Sequence, residues 1–165
     1  MMTEKLISNL EELTKNYRQL LDLVRKEKQI LIDANVDLIN ASNLQKEILI
    51  DKIQELDAHR STYAVEVAEK LNIPKADARL LNIANHLGGS NGDKLRSQHA
   101  ALEMLLKRTS ELNKENATYA DAAVQTVGKA LDGIRETLMG QKTYQNKGKY
   151  QTGADKSGHL VSKEA

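Results

Sequence analysis

Apolar positions at the start of the chain recur with one period. Leu6, Leu10, Leu13, Tyr17, Leu20, Val24, Glu27 and Leu31 are spaced 4-3-4-3-4-3-4. That is the repeat of a helix packed lengthwise on another helix. Thr3 is the expected N-cap, with Glu4 at the positive end of the helix dipole. The spacing predicts a helix over 3–32, roughly 45 Å long.

Asp33-Ala34-Asn35 interrupts the pattern, and Asn35 is placed to cap a second helix with Asp37 in its first turn. The second seam is Leu49, Ile53, Leu56, Arg60, Tyr63, Val67 and Leu71, continued upstream through Leu38, Ala41 and Gln45. Pro74 biases Ile73 away from helical backbone, so this helix should end near Leu71. So short a connection makes the two helices an antiparallel hairpin.

Residues 75–87 predict a short helix closed by Gly88. Gly88-Gly89-Ser90-Asn91-Gly92 reads as a loop, with Asp93 capping a third long helix that runs to about Met139, roughly 70 Å. That helix changes character along its length. Leu95, His99, Leu102, Leu105, Leu106 and Leu112 come first. The seam then turns polar and small at Thr109, Asn113, Asn116 and Ala120. An apolar stripe resumes as Ala120, Val124, Val127, Leu131, Ile134 and Leu138. Gly128 and Gly133 lie inside this stretch, and each weakens a helix by about 1 kcal/mol relative to Ala.

Composition supports long helices with thin aliphatic seams. The chain has five tyrosines, no Phe, no Trp and a single proline, Pro74. It has no cysteine, which excludes disulfides and thiolate metal sites. Basic and acidic residues number 24 and 23, for a net charge of +1. No global field draws a polyanion, so neither a nucleic-acid partner nor a membrane-surface role is expected. No apolar run approaches the ~20 residues needed to span a bilayer, and no leader segment is visible. The expected location is cytoplasmic. After Gly140 the periodic apolar content disappears and lysines outnumber acids. The pattern therefore divides the chain into a helical domain over 1–139 and a flexible tail over 140–165.

The candidate chemistry is sparse. His59, His86, His99 and His159 show no ligand spacing, so no metal is expected. The glycine-rich loop lacks the Gly-Lys-Ser/Thr ending and the preceding strand of a phosphate cradle, so no nucleotide or other cofactor is expected. Glu27 is a carboxylate on a seam, with Arg60 on the seam of the next helix. No nucleophile, base and orienting group assemble around it, so the chain reads as non-enzymatic. The best functional candidate is the stripe 120–138, which could receive a partner helix.

Several segments, in order, are similar to one known family. They are Leu20-Leu21 with Glu27 and Leu31; Asn35, Asp37 and Leu38; and Lys46, Leu49, Ile53, Leu56 and Arg60. They continue with Glu111-Leu112-Asn113-Lys114-Glu115-Asn116, with Thr143-Tyr144-Gln145-Asn146-Lys147-Gly148, and with the ending Lys163-Glu164-Ala165. On these residues the chain resembles the FlgN-type chaperones of the flagellar type III export system.

The resemblance implies an all-α, elongated antiparallel bundle of three long helices and one short one, with a flexible C-terminal tail. It implies clients that are hook–filament junction proteins, bound through their terminal helices and kept from assembling early. The client-binding segment would be about 117–139, using Ala120, Val124, Val127, Leu131, Ile134 and Leu138. Delivery would be to the cytoplasmic domain of the export gate, with Tyr144 docking there and the export ATPase complex as a further partner. The residues alone also allow a different class of function, a structural coiled-coil homo-oligomer acting as a scaffold.

Overall fold

The structure is a computed structural model. It describes residues 1–139, 142–144 and 150–152; from Ala123 onward, side-chain environments are described only at Gln125, Gly128, Lys129 and Asp132. The chain divides into two compact units, 1–120 and 121–165. Helices α1 (Met2–Ile32), α2 (Val36–Lys70) and α3 (Leu80–Leu87) belong to the first, and α4 (Gly89–Met139) begins there. Lys75–Asp77 forms a single 3-10 turn. The second unit holds the end of α4 and strands β1 (Lys142–Tyr144) and β2 (Tyr150–Thr152). These pair antiparallel, Lys142 opposite Thr152 and Tyr144 opposite Tyr150. The apolar pattern contains no signal for this ladder.

Local chemistry explains the helix boundaries. The first helix starts before Thr3, at Met2, with Glu4 accepting from the N-terminal ammonium at 2.7 Å; Thr3 is therefore not its cap. The α1–α2 turn closes with the Asn35 N–H on the Ile30 carbonyl and the Ala34 N–H on that of Leu31, with Ala34 left-handed at φ 51°. Asn35 then caps α2, its side-chain oxygen accepting from the Leu38 N–H at 3.1 Å. Helix α2 ends in the same paired bonds, Ile73 to Ala68 and Asn72 to Glu69, with Asn72 at φ 58°. Ile73 folds back into the core, where it is buried.

The expected loop at 88–92 and the Asp93 cap are not what forms. Gly88, at φ 61° and ψ −170°, joins the two helices by itself. Its N–H closes α3 on the Ala84 carbonyl, and its own carbonyl accepts from Gly92 as the first bond of α4. Only glycine occupies that backbone region without strain, so one residue replaces the loop. Asp93 instead pairs with Arg96 at 2.7 Å, and Arg96 also donates to Asn85. The predicted short helix over 75–87 splits, because Arg79 is extended between the 3-10 turn and α3.

Packing in the first unit follows the seams. On α1, Leu6, Leu10, Leu13, Leu20, Val24, Glu27 and Leu31 are all buried. Ile7, Thr14 and Leu21 form a second buried face, because α1 meets neighbours on two sides. Cross-helix bonds give the directions. Thr14 donates to Gln98 and Asn116 donates to the Val24 carbonyl, so α4 runs parallel to α1 and both oppose α2. The core adds Ile53, Leu56, Ala64, Val67 and Ala68 from α2, Ile83 and Ala84 from α3, and Leu95, Leu102, Leu105 and Leu112 from α4. At about 1.5–3 kcal/mol per fully buried large aliphatic side chain, this seam supplies the driving force for folding.

Two seam expectations need correction. Leu38, Ala41 and Gln45 face solvent, and the inward positions upstream on α2 are Ile39, Ser42 and Lys46. The true spacing from Ile39 through Ser42, Lys46, Leu49 and Ile53 is an unbroken 3-4-3-4, but it carries a serine and a lysine where an apolar reading looks for aliphatics. On α4, Leu105 is buried while Leu106 is half exposed.

Candidate functional site

Helix α4 is continuous from Gly89 to Met139, with no break near Asn116. Its inward positions in the first unit are Leu95, Gln98, Leu102, Leu105, Thr109, Leu112 and Asn116. Beyond these, Ala120 is half-buried and lines a groove of about 240 Å³ with Leu31, Ile39, Asn43, Lys46 and Asn113. The α1–α2 turn therefore lies level with Ala120, the first residue of the proposed client stripe. Lys28 reaches over the Tyr119 ring, 5.4 Å from its centre, which ties the same turn of α4 to α1.

The groove floor is polar and spans three helices. Glu27 of α1 is buried and ion-paired with Lys46 of α2. The Asn116 side-chain amide of α4 donates to the Val24 carbonyl at 2.8 Å and to the second Glu27 oxygen at 3.2 Å. Both neighbours are acceptors, so the NH2 group must face them and the Asn116 carbonyl oxygen must point away. That oxygen is buried without a partner. The arrangement binds helix to helix; it places no nucleophile beside a base. Arg60, the other seam charge, pairs with Asp57 on its own helix at 2.7 Å and takes no part. The cation that meets Glu27 is thus Lys46 and not Arg60. The 3-4 spacing through Ser42 and Lys46 carries that signal, but only when polar residues count as seam positions.

A second groove, about 300 Å³, is lined by Tyr17, Asp57, Arg60, His99, Leu102 and Leu106, among others. Burial there, with the Asp57 carboxylate nearby, raises the Tyr17 phenol above its ordinary value, and Arg60 opposes the shift.

Of the proposed client-binding residues, Ala120 is described. Val124, Val127, Leu131, Ile134 and Leu138 are placed on α4 by its backbone, and their side chains lie outside the described residues. Tyr144 ends β1 opposite Tyr150, and its side chain likewise lies outside them. Among the described residues, no three His, Cys, Asp or Glu converge as metal ligands. No helix among them is long and apolar enough to cross a membrane.

A family model described as FlgN protein matches residues 1–152. Comparison with curated proteins returned no match, and neither did comparison with solved structures.

Proposed function

The chain belongs to the FlgN family, which supports a flagellar export chaperone role in general, and from that premise we propose a specific mode of action. The protein is a non-enzymatic cytoplasmic holder of hook–filament junction proteins. It captures their terminal helices on α4 over 117–139, through Ala120, Val124, Val127, Leu131, Ile134 and Leu138. It then presents them to the cytoplasmic domain of the export gate, where Tyr144 contributes to docking, and the export ATPase complex is a further partner.

The observation that carries this reading is that α4 continues as helix to Met139, with apolar residues at 3-4 spacing, after the buried seam of the first unit has ended at Asn116. A client helix zipping onto five such side chains gains roughly 10 kcal/mol gross. Ordering the partners removes about 2–5 kcal/mol or more. The remainder, about 5–8 kcal/mol, corresponds to binding between roughly 0.2 mM and the micromolar range, weak enough to release without nucleotide hydrolysis.

The test is Val127→Asp combined with Leu131→Asp. Client capture should be lost while circular dichroism and the unfolding midpoint of the first unit stay unchanged. Melting of the whole bundle would place the stripe in the core and defeat the assignment. Tyr144→Ala should keep client binding and weaken gate docking; undiminished secretion would count against that role. Sedimentation at several concentrations separates the chaperone from the scaffold reading. A monomer converting to a one-to-one complex supports the first, and a client-indifferent oligomer supports the second.

A further inference from the structure

We infer that the helical unit is built with one weak end. Between Thr109 and Ala120, α4 parts from the α1–α2 hairpin more readily than it does between Leu95 and Leu105. The far half of the seam is mainly aliphatic, with Leu6, Leu10, Ile83 and Leu95 essentially without exposure and the buried Thr14 hydroxyl satisfied by Gln98. The half nearest the α1–α2 turn keeps Leu20, Val24, Leu31 and Leu112 buried but sets a polar layer among them.

In that layer the Ser42 hydroxyl, the Thr109 hydroxyl and the Asn116 carbonyl oxygen are buried and unpartnered. Among the described residues the only comparable atom elsewhere is the Asn9 side-chain oxygen. Each such atom has no protein partner, and opening exposes it to water. The Glu27–Lys46 pair sits in the same layer, with its carboxylate buried, and recovers hydration on separation. Grooves of about 240 and 320 Å³ flank this stretch of α4, and Lys46 lines both; a groove of about 300 Å³ borders 99–106, so the two stretches differ in the polarity of what is buried rather than in groove size. Buried polar atoms without protein partners lower the cost of exposing a segment, and such segments open locally before the global unfolding event.

The inference rests on the first unit alone, so it stands or falls independently of the client reading. If that reading holds, the part of α4 that opens most readily lies at the root of the client-binding segment.

Amide hydrogen exchange on the full chain without client tests it directly. Peptides covering 95–105 and 109–120 both lie inside one continuous helix, away from its ends, so fraying does not separate them. After correction for intrinsic rates, 109–120 should exchange at least about tenfold faster. Replacing the layer with Glu27→Leu, Lys46→Met, Thr109→Val and Asn116→Leu should bring the two segments within about threefold of each other. If that variant fails to fold, Ser42→Ala with Thr109→Val removes two orphans at nearly constant shape and should narrow the gap. Equal protection in the natural chain overturns the inference. So does a gap that persists unchanged in the variant that folds.

Discussion

Gly92 on α4 lies so close to Ala84 on α3 that a Cβ added there would stand 2.5 Å from the Ala84 carbonyl oxygen. The obstacle is main chain and cannot rotate away. The contact is where α3 folds back on the first turn of α4, and it follows from the one-residue connection at Gly88. Gly92→Ala should therefore destabilise the protein by on the order of 1–3 kcal/mol, read as a lower urea midpoint at constant slope. Gly128→Ala is the contrast. No described atom lies within 4 Å of its added Cβ, so improved helix propensity should stabilise that part of α4 by about 0.5–1 kcal/mol. Equal effects at the two positions would mean that the α3–α4 approach is looser than described.

The Glu27–Lys46 pair should show strong non-additivity. Glu27→Leu alone leaves the Lys46 ammonium in the groove without its counter-ion and costs about 3–5 kcal/mol. Adding Lys46→Met should recover most of that loss, because both charges leave together and the volume is kept. Chemical denaturation of the two singles and the double supplies the cycle. Simple additivity would show that the pair is not coupled.

Alkaline stability should depend on Tyr17. Its folded-state phenol titrates above its ordinary value, first because of burial and second because of Asp57. The neutral form is thus preferred in the folded chain. The sign follows: its contribution is intact below the unfolded-state value near 10 and is lost as pH climbs from there through the folded-state value. Tyr17→Phe should flatten that alkaline decline while leaving neutral stability nearly unchanged. Unfolding midpoints measured across the alkaline range, variant against natural chain, decide it.

The hairpin, the Asn35 cap, the stop near Leu71 and the end of α4 at Met139 were all legible in the residue order. Each depends on local chemistry: a 3-4 repeat, a capping amide, a proline's steric reach. The resemblance at Glu27, Lys46 and Asn116 was equally visible as a pattern, and the family match over 1–152 agrees with it. What those three residues do together was not. The apolar pattern places the seam on upper α2 elsewhere, because Ser42 and Lys46 look like surface residues until the groups facing them are known. The glycine-rich stretch looked like a loop because its composition suits one.

The sequence by itself therefore determined the long helices, where most of them stop and which family they belong to, since periodicity and capping act within a few residues. Only the tertiary structure decided that a glycine serves as a whole connection. It alone joined a carboxylate, an ammonium and an amide from three helices into one buried layer. The physical reason is that the stability of a polar group inside a bundle is set by partners as many as 92 positions away, and no local spacing encodes which of them will arrive.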